Sequence, residues 1–230
     1  MHNSIKAVLF DVDGTLYNQS MLRTLMTLKI LFSAVINPLH AGKNIKVISS
    51  YRKSQEVIRE KNLYSSDLYS DQIMLASQLS GSDENYVRDI VSKWFETAPL
   101  SVIPFCKRKN LEYTFKWLFE NSIITGLFSD YYCKEKAKAL GIQKFVSVYV
   151  SSMDKDVGVF KPNPKGFLIA ASKLGFNPEN ILFVGDRADV DLRGANITGM
   201  KAALLGKLPD GDMTNYEIND LSGVINILSN

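Results

Sequence analysis

The chain opens on a short apolar run that ends in acid. Ala7-Val8-Leu9-Phe10 leads into Asp11-Val12-Asp13-Gly14-Thr15-Leu16, which reads as a buried strand reaching a sheet edge, with Gly14 freeing the backbone to turn away. From about Asn18 to Pro99 the spacing becomes helical and strand signals vanish. Leu22, Leu25, Met26, Lys29, Ile30 and Phe32 mark a first helix, stopped near Asn37-Pro38. Val47 to Lys61 and Asp67 to Leu79 predict two more. A fourth follows Ser82, with Asp83 and Glu84 in its first turn, runs through Val87, Ile90, Val91 and Trp94, and ends before Pro99.

From Pro104 onward helix and strand alternate. Leu111 to Glu120 predicts a helix, and Ser122 to Phe128 a buried strand closed by Ser129. Lys134 to Leu140 is a helix capped by Gly141, and Phe145 to Val150 a strand. Asn163-Pro164 opens a helix that runs to Leu174. Ile181 to Val184 is a strand ending at Gly185-Asp186; a helix over Val190 to Asn196, a strand over Lys201 to Leu205 and a helix over Leu221 to Leu228 complete the chain. The expected fold is therefore α/β, a doubly wound, mostly parallel sheet with helices on both faces and a helical block inserted after the first strand. The expected division gives residues 1–16 and 104–230 to the α/β core and 17–103 to the insertion. Ligands of such sheets bind at the carboxyl ends of the strands, near the switch point. Asp11, Asp13, Ser129 and Asp186 close apolar runs there.

Composition narrows the partners. The 230 residues, 46% hydrophobic, can bury a substantial core. Lys and Arg number 27 and Asp and Glu 24, and the resulting +3 is too small and too evenly spread for a nucleic-acid footprint. Met21 to Ile36 is apolar but short for a bilayer, and Arg23 and Lys29 interrupt it, so no membrane partner is expected. The N-terminal apolar run stops at Asp11, which argues against a signal peptide. Cys106 and Cys133 have no metal or redox spacing and read as reduced structural thiols of a cytoplasmic protein. With only His2 and His40, neither a histidine-rich zinc site nor a Ser-His-Asp triad is expected. Oligomeric state leaves no trace in the sequence.

The candidate chemistry starts at the acid pair. Two carboxylates ~4 Å apart repel by about 4 kcal/mol at an effective dielectric near 20. Such a pair persists if a cation neutralises it or if one member holds a proton. A plain Asp-Gly turn after a strand is the alternative reading. Taken singly, Ser129 also reads as a turn or helix-cap residue, Lys161 as a solvated loop charge, and Gly185-Asp186 as a turn.

Taken together, the order and spacing of Asp11/Asp13, Ser129, Lys161 in Gly158-Val159-Phe160-Lys161-Pro162, and Asp186 to Asp191 resemble the haloacid dehalogenase (HAD) superfamily from Ser4 to Met200. The commonest members of that superfamily are magnesium-dependent phosphatases. The resemblance implies a Rossmann-like core with a helical cap, and an enzyme that hydrolyses the phosphomonoester of a small phosphorylated metabolite. It assigns Asp11 as nucleophile and Asp13 as general acid and base. It places Mg2+ on Asp11, Asp186 and the backbone carbonyl of Asp13, with Asp191 supporting the metal site and Asp189 competing for that role. Ser129 and Lys161 are implied to bind the phosphoryl group. Gln19, Arg23, Lys43, Lys46, Arg52 and Lys53 form the pool for cap specificity. One departure stands out: Asp130 occupies a position where the family often has Asn, which adds negative charge beside a phosphate site. Phosphomutase and phosphonatase-like chemistry, the latter on a cap lysine, share most of these residues. Haloacid dehalogenation and non-catalytic phosphate binding fit Asp13 and Asp186 less well.

Overall fold

The computed structural model describes residues 5–36, 38–210, 212 and 214–229. His2, Ser4 and Asn37, which the sequence reading used, lie outside that set. Strand β1 (Ala7–Phe10) is buried along its whole length. The chain then leaves the sheet for a helical layer: α1 (Gln19–Ile36), α2 (Pro38–Glu60), α3 (Leu68–Ser80) and α4 (Glu84–Val91). A π-helical stretch over Ser92–Thr97 and two 3-10 turns, Ala98–Ser101 and Ile103–Cys106, lead back. The return alternates as expected: α5 (Leu111–Glu120), β2 (Ile124–Ser129), α6 (Lys134–Ala139), β3 (Val148–Ser151), α7 (Pro164–Leu174) and β4 (Ile181–Gly185). A π turn at Ala188–Leu192 runs into α8 (Arg193–Ile197), followed by β5 (Lys201–Leu205), β6 (Tyr216–Ile218) and α9 (Gly223–Ser229).

The sheet order is β3-β2-β1-β4-β5-β6, and every pairing is parallel. After β1, β2 and β3 step outward on one side, β4 returns to the other side of β1. The switch point therefore lies between the ends of β1 and β4, with Phe10 opposite Val184. Divergent loops at such a point leave a crevice.

One hydrophobic cluster joins Val8, Phe10 and Phe115 on one face of the sheet to Leu22, Met26, Val47 and Tyr51 of the helical layer. A second, with Leu9, Phe128, Phe167 and Phe183, fills the opposite face. Where the chain leaves and re-enters the sheet, the two passages are stitched together. Asn18 N donates to the Cys106 carbonyl at 2.8 Å and Arg108 N to that of Leu16 at 3.0 Å.

Several boundaries differ from expectation. α2 begins nine residues before Val47, because its first two turns are largely exposed and carry no periodic apolar signal. The fourth helix turns π-helical at Ser92. Residues 143–145 form a 3-10 turn rather than the start of β3. β6 is three residues long with one buried position, too short for alternation to reveal. α1 is, among the described residues, the one helix long and apolar enough by length and composition to cross a membrane. Here Leu22 and Met26 pack it into the cluster shared by the helical layer and the sheet.

Candidate active site

Asp11 follows directly on β1, and its backbone N–H donates to the Val184 carbonyl at 2.8 Å, which ties it to the neighbouring strand end. Its side chain is 7% exposed. Lys161 Nζ donates to Asp11 Oδ1 at 2.6 Å, and the Thr15 hydroxyl to Oδ2 at 2.8 Å. The same ammonium donates to Asp191 Oδ1 at 2.7 Å. Asp191 Oδ2 accepts the backbone N–H groups of Asp186 at 3.2 Å and Arg187 at 3.1 Å, so Asp191 shapes the loop after β4. Gly185 makes this approach possible, since a Cβ there would lie 2.4 Å from that of Asp191.

Asp11, Asp186 and Asp191 each offer a carboxylate oxygen within 4.8 Å of the others. Burial, opposed by Lys161 and reinforced by Asp191 and Asp13, pushes Asp11 up to about 7. Burial and the charge of Asp11 push Asp186 up to about 6. Burial also raises Asp191 against the pull of Lys161. Burial disfavours the Lys161 ammonium, but Asp11 and Asp191 outweigh it and keep the group charged. Three clustered carboxylates thus face one buried ammonium that pairs with two of them, a deficit that a hard divalent cation matches in charge and donor type. The Thr15 hydroxyl donates to Asp186 Oδ1 at 3.5 Å.

Asp13 faces elsewhere. Lys136 Nζ donates to both its oxygens, at 2.5 and 2.8 Å, and Ser129 Oγ to Oδ2 at 3.2 Å. The Tyr17 hydroxyl donates to Oδ1 as well. Burial would raise Asp13, but Lys136, with Tyr17 and Ser129, holds it below the ordinary carboxylate range. The acid pair therefore meets its mutual repulsion with a separate lysine for each member. The Asp13 carboxylate lies outside the group formed by Asp11, Asp186 and Asp191, and it is the Asp13 backbone carbonyl that the resemblance assigns to the metal.

The remaining candidates also find places. Ser129, the last residue of β2, is fully buried, and besides its bond to Asp13 it accepts from Tyr131 N at 3.3 Å. Asp189 is exposed and pairs with Arg187 at 2.7 Å, whereas Asp191 is the one of the two grouped with Asp11 and Asp186. Lys136, Tyr17 and Thr15 join the site without a local sequence signal for it. Lys136 sits among Lys134 and Lys138 in α6, and nothing local sets it apart.

Between the helical layer and the sheet lies a cavity of about 940 Å³, lined by Asp13, Tyr131 and Lys136 from the sheet side and by Arg23, Tyr51 and Arg52, among others, from α1 and α2. Of the predicted site residues only Asp13 lines it. Gln19, Arg23 and Arg52 of the specificity pool line it; Lys43, Lys46 and Lys53 do not. Lys43 instead lies 3.9 Å from the centre of the Tyr86 ring.

The profile of the haloacid dehalogenase-like hydrolases matches residues 5–198. A glyceraldehyde 3-phosphate phosphatase of Methanopyrus kandleri is 34% identical over 94% of this chain and 93% of its own length. Its namesake in Methanocaldococcus jannaschii is 27% identical over 98% of both. Among solved structures, a HAD phosphatase from Thermococcus onnurineus superposes with a TM-score of 0.67 at 23% identity, covering 97% of this chain and 98% of that one. A 2-haloacid dehalogenase from Pseudomonas syringae does so with 0.70 at 21%, covering 98% of each chain. At such identities these structures establish a shared fold and leave the chemistry to the site.

Proposed function

The chain belongs to the haloacid dehalogenase-like hydrolase family, and we propose that it hydrolyses a small phosphomonoester through an aspartyl-phosphate on Asp11. The observation that carries this reading is the bridge Asp11–Lys161–Asp191 at the switch point, with Asp186 completing a group of three carboxylates. Mg2+ held by Asp11 and Asp186, with Asp191 orienting the loop, would neutralise the phosphoryl oxygens and the carboxylates together.

The residues then divide the work. An Asp11 oxygen attacks phosphorus as the bond to the leaving oxygen breaks, which splits one hard displacement into two easier ones. Lys161 balances the charge gathering at Asp11, and Ser129, already turned toward Asp13, offers a hydroxyl to the phosphoryl group. Asp13 passes a proton to the leaving alkoxide. Lys136 keeps Asp13 ionised at rest, so that proton arrives with the substrate: a phosphate ester with a second pKa of about 6 is partly protonated near neutrality. In the second half, Asp13 as carboxylate takes a proton from water. The water oxygen attacks phosphorus, which frees Asp11 and releases phosphate. Asp11 is buried, so cap and core part to admit the ester and close to exclude bulk water.

Residues 1–16 with 104–230 act as the catalytic core and 17–103 as the cap. The partner is a small metabolite rather than a nucleic acid or membrane, and the free thiols Cys106 and Cys133 suit the cytoplasm. Glyceraldehyde 3-phosphate, the substrate in the names of the archaeal relatives, is the first compound to assay. Purified protein with Mg2+ is expected to release phosphate from it. Asp11→Asn should abolish turnover while circular dichroism stays unchanged, and excess chelator should silence the wild type reversibly. Turnover that survives chelation would favour dehalogenase-type chemistry, which needs neither the metal nor an acid at Asp13.

A further inference from the structure

Asp130 sits directly after Ser129, where its charge would repel a phosphoryl dianion if left unmatched. A cap side chain answers it. Arg59, in the last turn of α2, has a side chain only 8% exposed, and its Nη2 lies 2.6 Å from Asp130 Oδ2. Gln55, one turn earlier, donates to the same oxygen at 3.1 Å. The other oxygen of Asp130 faces the core, where it accepts the Lys161 backbone N–H and the Ser152 hydroxyl, both at 3.2 Å. Arg59 also reaches past Asp130, and its Nε donates to the Lys161 carbonyl at 3.0 Å. Both backbone polar groups of Lys161 are thus tied to one cap guanidinium, the carbonyl directly and the N–H through Asp130. A planar guanidinium can fork to two acceptors at once in this way; an ammonium cannot do so in the same geometry. The guanidinium carbon also stands 5.7 Å from the Phe160 ring centre, beside the small apolar contact of Ile58 and Leu68 with Met153 and Phe160.

We propose that Arg59 is a positioning residue that makes the placement of Lys161 depend on the cap being seated. With α2 down, Arg59 and Asp130 fix the backbone from which the Lys161 ammonium bridges Asp11 and Asp191. With the cap raised, the Lys161 carbonyl loses its tie to Arg59, and Asp130, still bonded to the Lys161 N–H, loses its cation and stands unmatched beside the phosphoryl site. Full charge support at Asp11 is therefore reached only when the site is closed. The proposal rests on the reading of Asp11 as nucleophile and Lys161 as its charge partner.

The test uses the full chain with Mg2+ and p-nitrophenyl phosphate. Arg59→Met should lower kcat about tenfold or more while KM moves by less than about threefold, and Arg59→Lys should fall between it and wild type. Asp130→Asn keeps an acceptor for the Lys161 N–H but drops the charge that draws Arg59, and should show a smaller loss in kcat. Because Arg59 acts through Lys161, Arg59→Met added to Lys161→Met should cost almost nothing further. Hydrogen exchange gives a readout independent of turnover: in Arg59→Lys and Arg59→Met the peptide holding residues 158–161 should exchange faster, with β1 and β4 peptides unchanged. A simple cap tether predicts instead a raised KM with kcat intact, losses that multiply with Lys161→Met, and unaltered exchange at 158–161; that pattern overturns the proposal. If the wild type hydrolyses no phosphoester, the catalytic reading fails on its own, and the exchange experiment still decides the clamp.

Discussion

Gly14 leaves room for the Asp186 carboxylate. Its φ is +111°, and a Cβ there would lie 2.2 Å from Asp186 Oδ2. Arg108 also donates to its carbonyl at 2.8 and 3.0 Å, fixing the turn from the far side. Gly14→Ala therefore combines backbone strain of about 1–3 kcal/mol with displacement of Asp186. The variant is expected to melt lower than wild type and to need at least about tenfold more Mg2+ for half-maximal effect. A Mg2+ titration followed by thermal melts checks both, and an unchanged midpoint would separate Asp186 from the metal. At this scale the acids and Lys161 were legible because each closes an apolar run or sits in a short motif. Lys136 was not. It meets Asp13 from 123 residues away, and only the fold chooses it over Lys134 and Lys138.

α1 shows what helical spacing says and what it leaves open. Apolar residues surround this helix, so the pattern predicts a helix without saying which side is buried. Leu22 and Met26 turn inward, while Phe32 is 69% and Val35 80% exposed. Leu22→Ala is expected to cost about 2–5 kcal/mol. Phe32→Ser should stay within about 0.5 kcal/mol of wild type, as for other surface changes. Urea denaturation of the full chain measures both, and equal losses would mean that α1 packs the other way round. α7 was read correctly because its caps are local: Asn163 Oδ1 accepts from Lys165 N at 2.9 Å, and Gly175 ends the helix in the left-handed region.

The whole molecule sets the charge balance. Three carboxylates from the ends of β1 and β4 cluster together, two of them paired with one ammonium, and a divalent ion bound there would relieve the excess negative charge only in the folded chain. Mg2+ at a hundred times its Kd should therefore stabilise the protein by about 2.7 kcal/mol, a shift of several degrees in Tm. Chelator should reverse the shift, and Asp186→Asn should abolish it. A melting curve indifferent to Mg2+ would remove the metal from the site. The measurement needs no substrate, so it stands apart from every assay of turnover.

By itself the sequence determined the alternation of strand and helix, the inserted helical block and the acids at the strand ends. Those depend on spacing, turns and caps within a few residues of each other. Only the tertiary structure decided that Lys161 bridges Asp11 and Asp191, that Lys136 pairs with Asp13, that Asp191 rather than Asp189 joins Asp11 and Asp186 in the carboxylate cluster, and that Arg59 answers Asp130. These pairings join residues far apart in the chain, and their choice follows from where strand ends converge and side chains point. No local pattern carries that information.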